Sequence, residues 1–202
     1  MKILLLDDHS LFSEGLGKIL KDHFSNLALD KFTSIKELVQ QKTDISSYDL
    51  MISDIELPNE DVFELLNSVK LTYPTTPILV ITMHNKLSVI KKCKALHIEG
   101  YILKDDHDLI IIAVEQLLLG KEFYSKKAKE TLNIINKGGK FLTPKEEQIV
   151  ALIANGINNK EIAKKLFISY NTVKTHRKNI GKKLELSTTG ELIRYYFDNY
   201  VQ

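Results

Sequence analysis

The 202-residue sequence is 44% apolar with a formal net charge of +2, enough hydrophobic material for one large core or two small ones and no sign of a disordered chain. The amino-terminal MKILLLDDHS has only four apolar residues after Lys2 before two acids, and the longest later apolar run, Leu109 to Val114, is six residues, which argues against a signal peptide and a membrane span. One cysteine, Cys93 in VIKKCKAL, rules out an intrachain disulfide, suits a reducing cytoplasm, and is expected to be a packing side chain.

The small net charge hides an asymmetry. Residues 1–137 carry 17 Lys and Arg against 20 Asp and Glu, a net of −3, whereas residues 138–202 carry 11 against 6, a net of +5. An acidic front half and a basic back half predict different partners.

In chain order, short β-like runs come first: KILLLD (2–7), LALDKF (27–32), DLMISD (49–54), PILVIT (77–82) and GYILK (100–104), alternating with amphipathic stretches. Five βα units follow. Several strands are apolar almost without interruption, as when helices cover both faces of a sheet. The expected fold is therefore α/β, a doubly wound five-stranded parallel sheet. Residues 1–120 form this first domain.

In open parallel sheets reactive groups gather at the carboxyl ends of strands. Asp7 and Asp8 follow the first strand, Asp54 the third, Thr82 the fourth and Lys104 the fifth. Three crowded carboxylates repel and call for a cation; all-oxygen ligands with room for water suit Mg²⁺. With the metal and Lys104 neutralising phosphoryl oxygens, Asp54 can attack in line to form an acyl phosphate, and Thr82 can hydrogen-bond the product. Taken alone, Asp54 before the turn closed by Pro58 reads more simply as a turn aspartate.

The DD pair, the lone Asp before IELP, the Thr ending LVIT and the Lys of GYILKD together resemble the receiver domain of bacterial response regulators. The resemblance implies that Asp7 and Asp8 bind Mg²⁺ with Asp54 and the backbone carbonyl of Glu56, Asp8 being the more direct ligand. It further implies that a sensor histidine kinase supplies the phosphoryl group. Tyr101 matches the family's switch aromatic, against the plainer reading of a strand tyrosine. One departure is Val62, where the family usually has glycine four residues after the proline, which puts the local turn in question. The six histidines show no paired metal-ligand spacing; His84 is expected at the rim of the pocket.

Lys121 to Lys140 reads as a linker, partly helical and flexible at Gly138 and Gly139. Beyond it, residues 141–202 read as a compact all-α domain of four short helices. Thr143, Pro144 and Glu146 form a start signal and Gly156 a stop; Asn158 and Glu161 open a second helix through Leu166; a third runs from about Tyr170 to Leu184; Thr188 and Glu191 cap a fourth ending near Tyr200. On the third, Val173, Ile180 and Leu184 form an inward stripe, and Asn171, Lys174, Thr175, Lys178 and Lys182 share one outer face. Lysines with short polar side chains on a helix after a tight turn suit major-groove recognition, although a solvated lysine-rich face fits as well.

NKEIAKKLFIS followed by TVKTH resembles the LuxR/NarL-type helix-turn-helix domain. The resemblance implies that Lys174, Thr175 and Lys178 face the groove of promoter DNA, with His176 and Arg177 nearby, Arg177 as a phosphate contact, and that the last helix pairs two copies. Lys145 stands where many members carry arginine, which keeps the charge and loses the bidentate geometry. The expected function is a cytoplasmic, dimer-forming transcription factor, with self-phosphorylation and slow hydrolysis at Asp54 as its only chemistry. Two rivals are a phosphorylation-gated protein-binding adaptor and a haloacid-dehalogenase-type phosphatase; the second needs a DxD pair after its first strand, where this chain has adjacent acids.

Overall fold

The computed structural model describes residues 1–136 and 142–200, with side chains of 132–136 excepted. The glycine pair at 138–139 lies outside the described residues. The chain divides into two compact units, one built from nearly all of residues 1–129 and the other from the remainder.

In the first unit β1 (Lys2–Leu6), β2 (Ala28–Phe32), β3 (Leu50–Ser53), β4 (Ile78–Thr82), β5 (Gly100–Leu103) and β6 (Phe123–Tyr124) form one parallel sheet in the order β2-β1-β3-β4-β5-β6. The helices α1 (Ser10–His23), α2 (Ile35–Gln40), α3 (Val62–Thr72), α4 (Leu87–Ala95) and α5 (Ile110–Leu118) connect the first five strands and lead to the sixth. Ile3 and Leu5, with Leu50, Ile52, Leu79, Ile81 and Ile102, pack against Leu16 and Leu20 of α1 and Ala113, Val114 and Leu117 of α5. The alternate residues Leu4, Leu6, Met51, Val80 and Tyr101 are buried as well, so both faces are covered and the strands read as unbroken apolar runs. Close approach fixes Gly100: a Cβ there would stand 2.6 Å from Leu79 Cδ1 and 2.8 Å from Leu117 Cδ2.

The five expected strands are present, and the sheet has a sixth. Phe123 and Tyr124 lie in the stretch expected to be linker, yet they pair with Gly100 and Tyr101. Two residues are too few for a periodicity signal; tertiary pairing alone makes them a strand. Helix α6 (Lys126–Asn136) follows.

The second unit contains α7 (Pro144–Ala154), α8 (Asn159–Leu166), α9 (Tyr170–Leu184) and α10 (Thr189–Tyr200). Their starts are capped as the sequence indicates: Thr143 Oγ1 accepts from Glu146 N–H while Glu146 Oε2 accepts from Thr143 N–H, Asn158 Oδ1 accepts from Lys160 and Glu161, and Thr188 and Glu191 cap each other. Gly156, at φ +77°, takes the left-handed conformation that ends α7. Ile149, Val150, Ile153, Ile162, Val173, Ile180 and Leu192 form the core. The turn between α8 and α9 places Phe167 at φ +55° and 95% exposed.

Candidate functional site

The strand order reverses between β1 and β3, where crossovers diverge to opposite sides and leave a crevice at the carboxyl edge. Register fixes what opens into it. Leu6 pairs with Ser53 and Thr82 with Leu103, so Asp7, Asp54 and Lys104 are each the first residue past its strand. Backbone bonds hold them there: Asp7 N–H donates to Phe32 O at 3.0 Å, Asp54 N–H to Leu6 O at 2.8 Å, and Lys104 N–H to Thr82 O at 2.9 Å.

Three of these side chains meet directly. The Lys104 ammonium donates to Asp54 Oδ2 at 2.7 Å and stands 2.7 Å from Asp7 Oδ2, with all three residues buried. The same ammonium lies 4.6 Å over the Phe12 ring. Burial alone would lower the Lys104 pKa, but hydrogen bonds and charge attraction from Asp54 and Asp7 outweigh it and hold it above the ordinary lysine value. Asp54 Oδ1 accepts from Ile55 N–H at 2.6 Å and Glu56 N–H at 3.1 Å, so the loop after β3 grips one carboxylate oxygen and leaves the other to the lysine.

Asp7, Asp8, His9 and Asp54 each present one ligand atom, all within 4.8 Å of one another. Asp7 Oδ2 and Asp8 Oδ1 are both buried; the first faces the Lys104 ammonium at 2.7 Å and the second faces His9 Nδ1 at 3.1 Å. Three carboxylates so close together fit a hard divalent cation, which would offset the negative charge that the single Lys104 ammonium balances only in part. His9 is the member that spacing between histidines could not find: its Nδ1 lies 3.1 Å from Asp8 Oδ1 and 3.3 Å from Asp7 Oδ1. The available signal was adjacency, since His9 immediately follows the acid pair.

Thr82 is fully buried at the end of β4, and its Oγ1 accepts from His84 N–H at 3.1 Å. Tyr101 is fully buried too; its ring points into the protein and its hydroxyl donates to His84 O at 2.5 Å. His84 Nε2 stands 2.6 Å from Glu56 Oε1, linking the loop after β4 to the loop after β3. His84 is thus more than a rim residue in connectivity: backbone and side chain tie Thr82, Tyr101 and Glu56 together. The turn questioned at Val62 is regular. Val62 is the buried first residue of α3 behind an Asp61 cap, and the left-handed position falls at Asn59, φ +59°. Cys93 is buried in α4 with its thiol pushed up to about 12 by desolvation, as a packing residue would be.

In the second unit Val173 and Ile180 are fully buried, while Asn171, Lys174, Thr175, Lys178 and Lys182 are all exposed along one side of α9. His176 and Arg177 are half-buried at its flank. Arg177 does not project freely: Nη1 donates to Asn159 Oδ1 and Nη2 to Thr189 Oγ1, each at 2.8 Å.

Known families match both units. The family described as the response regulator receiver domain matches residues 3–115, and that of the bacterial regulatory proteins of the luxR family matches residues 140–196. The transcriptional regulatory protein MctR of Rhizobium johnstonii is 32% identical over 209 residues, covering 98% of this chain and 94% of MctR. Among solved structures, the RcsB response regulator of Salmonella typhimurium superposes with a TM-score of 0.76 at 28% identity, over 96% of this chain and 98% of that one. A structure of two RcsB dimers bound to two parallel DNAs matches with a TM-score of 0.73 at 27% identity over 98% of each chain. The chain belongs to the response regulators with a LuxR-type helix-turn-helix domain, transcription factors controlled by phosphorylation. Among the described residues no helix is long and apolar enough to cross a membrane.

Proposed function

We propose that a sensor histidine kinase transfers a phosphoryl group to Asp54, and that this chain then binds promoter DNA in the cytoplasm as a homodimer through α9. The observation that carries the reading is the Lys104 ammonium at 2.7 Å from both Asp54 Oδ2 and Asp7 Oδ2 in the switch-point crevice.

An Asp54 oxygen attacks the phosphorus of a phosphohistidine; the new C–O–P linkage forms as the P–N bond breaks, and the nitrogen keeps the electron pair. Asp7, Asp8, Asp54 and the Glu56 carbonyl would hold Mg²⁺, which neutralises charge on the transferring oxygens. Lys104 is poised to exchange its carboxylate partners for a phosphoryl oxygen. Thr82 can turn its hydroxyl from the His84 N–H to the new phosphoryl group, and Tyr101, bonded to His84 through its hydroxyl, is placed to register that movement. The only reactions assigned to the chain itself are this self-phosphorylation and slow hydrolysis.

On α9, Lys174, Lys178 and Lys182 supply cations for phosphates, and Asn171 and Thr175, with His176 at the flank, supply short polar groups for base edges or the backbone. The solved RcsB dimers on DNA support the DNA-bound dimer for this chain. Labelling with radioactive acetyl phosphate tests the first half: wild type takes up label, and Asp54→Ala takes up none. Undiminished label on the variant overturns the assignment of the acceptor.

A further inference from the structure

The helix-turn-helix resemblance implies a phosphate contact for Arg177, but its place on α9 differs from that of the outer lysines. It lies four residues after Val173 and three before Ile180, so it continues the inward stripe of Val173, Ile180 and Leu184 instead of the outer face of Lys174 and Lys178. Its guanidinium reaches across two other helices. Asn159 is the first residue of α8 and Thr189 the first of α10, and each accepts a hydrogen bond from a different terminal nitrogen, both at 2.8 Å. The side chain also lines the concavity of about 400 Å³ beside Asn158, Lys160 and Tyr170 and the one of about 200 Å³ beside Gly181, Leu186 and Thr188. It is the common wall between them.

Helix amino ends carry partial positive charge, so a cation between two of them gains nothing from the helix dipoles. The directed bonds to Asn159 and Thr189 hold it there, and each uses a separate nitrogen of a planar fork, a fixed donor spacing that the single ammonium of a lysine does not present. Accordingly, we propose that Arg177 is a positioning residue: it fastens the amino ends of α8 and α10 to the flank of α9 and so sets the attitude of the face bearing Lys174 and Lys178, without itself contacting DNA. The proposal rests on the reading of α9 as the DNA-binding helix.

Charge and position are separated by salt. A residue that neutralises a phosphate adds about 0.9 to the slope of log affinity against log salt, and one that orients its neighbours adds nothing. The experiment uses the full-length phosphorylated protein and a duplex selected by it from a random-sequence pool, at a temperature where circular dichroism shows every variant folded. Arg177→Ala and Arg177→Lys should each weaken binding by about three- to tenfold, as expected for loss of one or two hydrogen bonds, with the salt slope of wild type. Asn159→Ala should weaken binding similarly, and the Asn159→Ala, Arg177→Ala pair should be little worse than either alone.

A slope reduced by about 0.9 in Arg177→Ala, with additive effects of Asn159→Ala, would make Arg177 a phosphate contact and overturn the proposal. So would unchanged affinity of the folded Arg177→Ala protein, which would leave the residue with stability alone. Failure of the underlying reading looks different: Lys174→Ala and Lys178→Ala would then leave both affinity and slope untouched.

Discussion

The Tyr101 hydroxyl donates to the main-chain oxygen of His84 at 2.5 Å, and the His84 N–H donates to Thr82 Oγ1 at 3.1 Å, so a strand tyrosine and the hydroxyl at the end of the neighbouring strand are joined through the backbone of one residue. Burial pushes the Tyr101 phenol well above its ordinary pKa and keeps it a donor. Tyr101→Phe keeps the ring and removes the bond, so it should destabilise the receiver by about 1 kcal/mol in urea unfolding while acetyl phosphate still labels Asp54. Loss of labelling would place Tyr101 in the chemistry itself.

The ion pairs of Lys104 carry a pH signature. Its folded pKa is raised, so its stabilisation is complete below the unfolded lysine value of about 10.4 and disappears only as pH rises through the higher folded value. Between about pH 6 and pH 9 its contribution should be flat. Lys104→Met leaves Asp54 and Asp7 without their cation and should destabilise the fold by about 3 kcal/mol, equally across that range, in denaturant titrations.

The clustered carboxylates of Asp7, Asp8 and Asp54 predict stabilisation by divalent cations independent of any phosphoryl donor. Mg²⁺ at about 100 times its dissociation constant should raise unfolding free energy by about 2.7 kcal/mol, seen as a higher Tm against a salt-matched control. Asp8→Ala should remove most of that increment. An equal increment in the variant would move the metal away from this cluster.

Glu146 joins two ends of the second unit. Its carboxylate accepts from the Thr143 N–H at 2.7 Å and from Lys183 Nζ at 2.6 Å, and it is 3% exposed. Desolvation opposes its ionisation, but Lys183 and Thr143 prevail and its pKa falls below the ordinary glutamate value. The stability it supplies is therefore present above about pH 4.3 and is lost as pH drops through the depressed folded value. Glu146→Gln should cost about 1 to 2 kcal/mol at neutral pH and flatten the acid limb of the stability profile.

The sequence made the strand ends legible because period, burial and polarity change together there: an apolar run stops and an acid, threonine or lysine begins. The caps of α7, α8 and α10 were legible for the same reason, since the capping side chain is local to the helix it starts. Relations between distant segments were not. The pairing of His84 with Glu56 joins two loops 28 residues apart, and the bonds of Arg177 to Asn159 and Thr189 exist only once three helices have packed. The phase of α9 leaves Arg177 off the lysine face, and only the helix-turn-helix resemblance implies a phosphate contact for it. Strand β6 escaped because two residues carry no period.

That sixth strand reassigns where the first unit stops. Tyr124 stacks parallel to Tyr101 with ring centroids 6.1 Å apart, and its hydroxyl donates to Ile98 O at 2.6 Å. A fragment trimmed after α5, at the edge of the matched receiver family, would strip the outer neighbour from β5 and open the Tyr101 ring to water. Anyone dissecting this chain into separately expressed pieces should place the cut beyond Ser125.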